Sequence, residues 1–71
     1  MNAQRIPLWT GEFVKRMHLA SVAKKEIAVK LGYSPEYVGR VLSGKDVPNG
    51  AEARFNSALD ELIAEKKENS A

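Results

Sequence analysis

The stretch "KKEIAVKLGYSPEYVGRVLSGK", residues 24–45, decides the fold. Just before and within it, Ala23, Ile27, Ala28 and Leu31 recur at i, i+4, i+5 and i+8, one buried stripe of a helix. Gly32 follows directly, where a helix-ending residue of positive φ belongs. Ser34 is a good N-cap and Pro35 fits the first helical position, so a second helix starts at once. Val38, Val41 and Leu42 cluster on one side of that helix, Glu36, Arg40 and Ser43 fall roughly opposite, and Gly44 ends it. The spacing predicts helices over about 23–31 and 34–43. The turn between them is short and contains glycine, which forces a sharp crossing.

Outward from this pair, Thr10 reads as the N-cap of an earlier helix over about 11–18, with Glu12 in its first turn. Trp9 and Val14 then take the positions of a hydrophobic staple, and Phe13, Val14 and Met17 share a face. Residues 1–9 lack periodicity and contain Pro7, but Ile6, Leu8 and Trp9 are apolar, so they read as an arm folded back onto the domain. After the turn-rich "GKDVPNG", Asn49 and Glu52 have the spacing of a capping box. Phe55, Leu59, Leu62 and Ile63 run down one face of a last helix, about 50–67, and residues 68–71 read as a frayed tail. The expected organisation is an arm, 1–9, and one domain, 10–67.

A chain of 71 residues without cysteine is one small domain with neither a disulfide framework nor a thiolate metal site, which suits a reducing cytoplasm. No apolar run approaches membrane-spanning length, and no signal peptide is evident. The net charge of +2 is uneven: residues 1–50 hold eight basic and four acidic residues, residues 51–71 three and five. The first part is the one suited to a polyanion. One histidine, scattered carboxylates and no Gly-rich phosphate loop leave no catalytic constellation, so no enzyme, metal, cofactor or small-molecule ligand is expected.

Ala28 at the helix crossing, Gly32 in the turn, and Val38 and Val41 as pegs on the second helix occupy the positions that a helix-turn-helix requires. With "LSGK" closing it, the stretch resembles the Cro/cI-type helix-turn-helix family of phage and bacterial regulators. Over about residues 11–65 the chain is similar to small regulators of phages and mobile elements. The resemblance implies an all-α, compact four-helix domain of the phage-repressor type, with the motif at 23–43. The family often adds a fifth helix, which is not evident here. It also implies double-stranded DNA as partner, the second motif helix in the major groove, transcriptional repression, and a homodimer through the last helix and the N-terminal arm.

On that reading Pro35, Glu36, Gly39, Arg40 and Ser43 face the bases, and Lys24, Lys25, Ser34, Tyr37, Lys45 and Asn49 face phosphates. Arg40 is the foremost reader, since an arginine can hold guanine O6 and N7 with two hydrogen bonds, worth about 1–3 kcal/mol of discrimination. Its competing role is an i,i+4 pair with Glu36, worth about 0.2–0.5 kcal/mol. Glu36 equally suits a helix N-terminus, and the Tyr37 ring equally suits packing on Tyr33. Pro35 offers only an apolar contact, and Gly39 lets a helix approach closely at a cost of about 0.8–1.0 kcal/mol. The lysines have a plain solvated alternative. The low net charge, Glu36 and Pro35 also fit a second function: a protein-binding module of a mobile element, an inhibitor of a host defence machine or an antitoxin-like partner.

Overall fold

The computed structural model describes residues 6–69, and all regular structure among them is helical: α1 Leu8–Ala20, α2 Lys24–Leu31, α3 Pro35–Leu42 and α4 Ala51–Asn69. The all-α, four-helix architecture is as expected. The first helix begins earlier than the sequence suggests. Pro7, extended at φ −59° and ψ 143°, is its N-cap, and Thr10 lies inside the first turn. The Thr10 hydroxyl donates back to the Pro7 carbonyl at 2.8 Å and is almost fully buried. Packing explains the shift. In helical conformation Trp9 and Phe13 are i,i+4 neighbours, with edge-to-face rings 5.9 Å apart, and both meet Phe55 of α4 at 5.6 Å. Trp9 therefore staples to Phe13 and not to Val14, which is 46% exposed; Glu12 lies beyond the first turn. Of the expected arm, residues 1–5 lie outside the described residues, Ile6 and Pro7 lead into α1, and Leu8 and Trp9 belong to it.

The first three helices end alike. The N–H groups of Val22, Tyr33 and Lys45 reach back five residues to the carbonyls of Met17, Ala28 and Arg40, around left-handed Ser21, Gly32 and Gly44. This is the Schellman pattern, and glycine suits its left-handed position. Gly32 and Gly44 were legible; Ser21, at φ 56°, was not. A left-handed Cβ costs roughly 1–2 kcal/mol. Ser21→Gly is expected to stabilise the domain by about 0.5–1 kcal/mol after the added chain entropy of glycine is subtracted. That corresponds to a Tm higher by about 2–8 °C in a thermal melt.

α2 and α3 keep their expected extents to within a residue. Ala23 is the exposed N-cap of α2, so the stripe begins at buried Ile27 and Ala28 and is completed by half-buried Leu31, while Val22 supplies the buried residue upstream. In α3 the Ser34 Oγ accepts from the Tyr37 N–H at 3.1 Å, and Val38, Val41 and Leu42 are buried. The expected Asn49–Glu52 capping box does not form. Gly50, left-handed at φ 77°, accepts the Arg54 N–H, and the Asn49 carbonyl takes the Arg54 guanidinium at 3.0 Å. A side-chain cap is displaced because the backbone turns over one residue later. α4 continues to Asn69, past the expected fraying point.

α4 buries Ala51, Phe55, Ala58 and Leu59, packs half-buried Leu62 and Ile63 against the core, and carries ion pairs along its outer part. Arg16 of α1 pairs with Asp60; Lys30 of α2 meets Glu65 at 2.5 Å and Glu61 at 3.2 Å; Lys66 meets Glu26 at 3.2 Å. These pairs link the outer turns of α4 to α1 and α2, each as a surface contact of small energy. The Ala23 N–H, and then Lys66, hold the Glu26 carboxyl below its ordinary pKa of 4.5. Its contribution to stability is present above the unfolded value and is lost as pH falls through the lowered one. Glu65, and then Glu61, raise Lys30 above 10.5, so its contribution is complete below that value and is lost as pH rises through the raised one. Glu26→Gln is expected to make the acid limb of a Tm-against-pH profile shallower below about pH 4.5 and to leave the alkaline limb unchanged.

Candidate nucleic-acid interface

With Val38, Val41 and Leu42 buried, α3 presents Pro35, Glu36, Arg40 and Ser43 to solvent, with Gly39 half-exposed between them. Both ends of this face are fixed by local chemistry: the Ser34 cap at one and the Gly44 turn at the other. Gly44 is doubly constrained, since its φ is 84° and a Cβ there would approach Ile6 to within 3.2 Å. The extended segment before α1 thus covers the turn that closes α3.

Lys24 reaches this face from α2. A Cβ on Gly39 would lie 3.9 Å from its ammonium, and Lys24, Gly39 and Ser43 line one shallow cleft with Val14 and Leu42. A Cβ there would make only an ordinary contact with the lysine, so Gly39 is not required for its approach. Val14, expected to staple to Trp9 on a face shared with Phe13 and Met17, instead borders this cleft. Lys25 points elsewhere: it lines a groove between α2 and α4 with Val29, Lys30, Leu62 and Glu65, apart from the other expected phosphate contacts. Ser34 and Lys45 are exposed at the two ends of α3. Asn49 is exposed near the end of the loop before α4, in a separate groove with Pro7, Trp9, Asp46 and Glu52.

Arg40 does not pair with Glu36. Its Nε donates to Asp46 Oδ2 at 2.9 Å, and its guanidinium carbon lies 5.5 Å from the centre of the Tyr37 ring. Tyr37 also stacks edge-on against Tyr33 at 4.9 Å, so its ring serves the packing role. The Ser43 hydroxyl donates to the Arg40 carbonyl at 3.2 Å. Asp46 is the residue of the candidate face that sequence reasoning missed. Its separation from Arg40 by six positions matches no helical neighbour rule, and a loop conformation brings the two together.

The electrostatics are divided. The acids of α4 are largely occupied by α1 and α2, while among the described residues Lys15, Lys24, Lys25 and Lys45 have no carboxylate partner. Glu36 also stands without an ion pair among the described residues. No group of three or more His, Cys, Asp or Glu among them is arranged to hold a metal, and no helix among them is long and apolar enough to cross a membrane. No family model matches the chain, and neither the curated proteins nor the solved structures give a match.

Proposed function

We propose that this protein is a sequence-specific DNA-binding transcriptional regulator, acting as a repressor, that places α3 in the major groove. The observation that carries the reading is the solvent face of α3, with Arg40 and Ser43 exposed and the Lys24 ammonium brought beside Gly39 by the short turn after α2. A helix of this width fits the major groove, and its outward side chains reach base edges. Lys24 and Lys45 flank the helix as phosphate contacts, and Ser34 and Tyr37 lie at its N-terminal end. Lys25 is a weaker candidate, because it lies toward α4.

The regulator acts as a homodimer, so that two α3 helices read half-sites about one helical turn apart. Leu62 and Ile63 are only half-buried, and Val29 beside Leu62 is 82% exposed, which leaves apolar surface on α4 and α2 for a second copy. A purely monomeric sedimentation profile, with and without DNA, would remove the dimer.

One observation favours a protein-binding role for the same face. Glu36, without an ion pair among the described residues, would face phosphates. In that reading the face docks on a protein of a host defence system or on a toxin. Binding of short duplexes from the region upstream of the gene, against random duplexes at two salt concentrations, separates the two. Selective binding that weakens with salt supports the regulator. No binding at low salt excludes it and directs attention to a protein partner.

A further inference from the structure

We propose that Asp46 is a positioning residue, which aims the guanidinium of Arg40 at one guanine in the major groove. This rests on the DNA-binding reading above and adds to it the identity of one base and the residue that enforces it. An arginine has five N–H donors. Here Asp46 takes the one on Nε, at 2.9 Å, and no hydrogen bond from either Nη to a described residue competes. The edge formed by Nη1 and Nη2 is left open, and two parallel donors of that kind match guanine O6 and N7. A carboxylate that withheld Arg40 from DNA would occupy this edge.

The Tyr37 ring adds a second neighbour, with the guanidinium carbon over it at 5.5 Å from its centre. Asp46 is in turn fixed by the residue that it holds. The Arg40 carbonyl accepts the N–H of Lys45 at 2.9 Å, the N–H of Asp46 at 3.2 Å and the Ser43 hydroxyl at 3.2 Å. Backbone and side chain of Arg40 thus clasp the same short loop. Arg40 and Asp46 side chains are 52% and 40% exposed, so the ion pair contributes little to folding. Its effect lies in restraint: a guanidinium already held at its Nε loses less freedom when it meets a base.

The test starts with a selection by the full chain from a pool of randomised duplexes. Each base of the selected site is then substituted in turn, with wild type, Arg40→Ala, Asp46→Ala and Asp46→Asn. The expected result is that Arg40→Ala removes the preference for one guanine. Asp46→Ala should lower discrimination at that guanine by roughly tenfold, and at no other position. Asp46→Asn retains an oxygen to accept from Nε and should fall between. Melting temperatures of the Asp46 variants should match wild type, so that any loss reports on aim and not on folding. If wild type selects no sequence, the DNA-binding reading fails and the inference falls with it. If wild type selects a site but Asp46→Ala keeps full discrimination, the inference alone is overturned. Uniformly tighter binding with discrimination intact also overturns it, since Asp46 would then be only a repelling charge.

Discussion

Phe55→Ala is expected to destabilise the domain by about 3–5 kcal/mol, the usual loss for a buried phenylalanine. Phe55 is fully buried, and Trp9, Phe13 and Tyr33 surround it with ring centres at 5.6, 5.6 and 6.3 Å. Those rings come from α1 and the turn before α3, and Phe55 meets them from α4. Truncation leaves a cavity at the point where the elements meet, and the neighbouring rings are too rigid to refill it. A domain of this size has a total stability of only about 4–11 kcal/mol. The variant should therefore melt at least about 12 °C lower, or lack a cooperative transition altogether. Far-UV circular dichroism melts test this, with Leu8→Ala as the control. Leu8 is 91% exposed, and its loss should stay within about 0.5 kcal/mol. A Phe55→Ala variant within about 1 kcal/mol of wild type would mean that the aromatic cluster does not hold the fold together.

The same cluster explains which parts of the fold were legible in the sequence. α2, its turn and α3 were readable to within a residue because each boundary carries its own local chemistry: Gly32 for the left-handed turn, Ser34 for the cap, Pro35 for the first helical position and Gly44 for the exit. The start of α1 was not, because Thr10 satisfies the cap rule and is overruled by the gain from seating Trp9 against Phe55. That contact spans most of the chain and leaves no mark on local sequence. The Asn49–Glu52 box failed in a similar way, since the left-handed conformation of Gly50 moved the helix start to Ala51, one residue beyond the place an Asn49 cap requires. In the candidate site, the exposed face of α3 followed from periodicity alone. The reach of Lys24 to Gly39, the departure of Lys25 toward α4 and the grip of Asp46 on Arg40 depend on how helices cross and how a loop returns.

Arg40→Ala and Lys45→Ala are expected to damage DNA binding in different ways, and the difference tests the proposed function. Arg40 offers a two-donor edge to a base, so its loss should weaken the selected site by about 1–3 kcal/mol while random duplexes are affected far less. In dissociation constants that is about 5- to 150-fold at the selected site. Lys45 is exposed just after the turn that ends α3 and has no carboxylate partner among the described residues. As a phosphate contact it would contribute equally to every sequence. Lys45→Ala should therefore weaken all duplexes alike and reduce the slope of log K against log salt by about one. Removal of both side chains should abolish selective binding. Neither substitution should move the melting temperature by much, because both residues are exposed and Arg40 gives up only a surface ion pair. If both variants keep full biological activity, the outward face of α3 is not what the protein works with. Partner capture should then be directed at the groove between α2 and α4, where Val29 and Leu62 leave apolar surface uncovered.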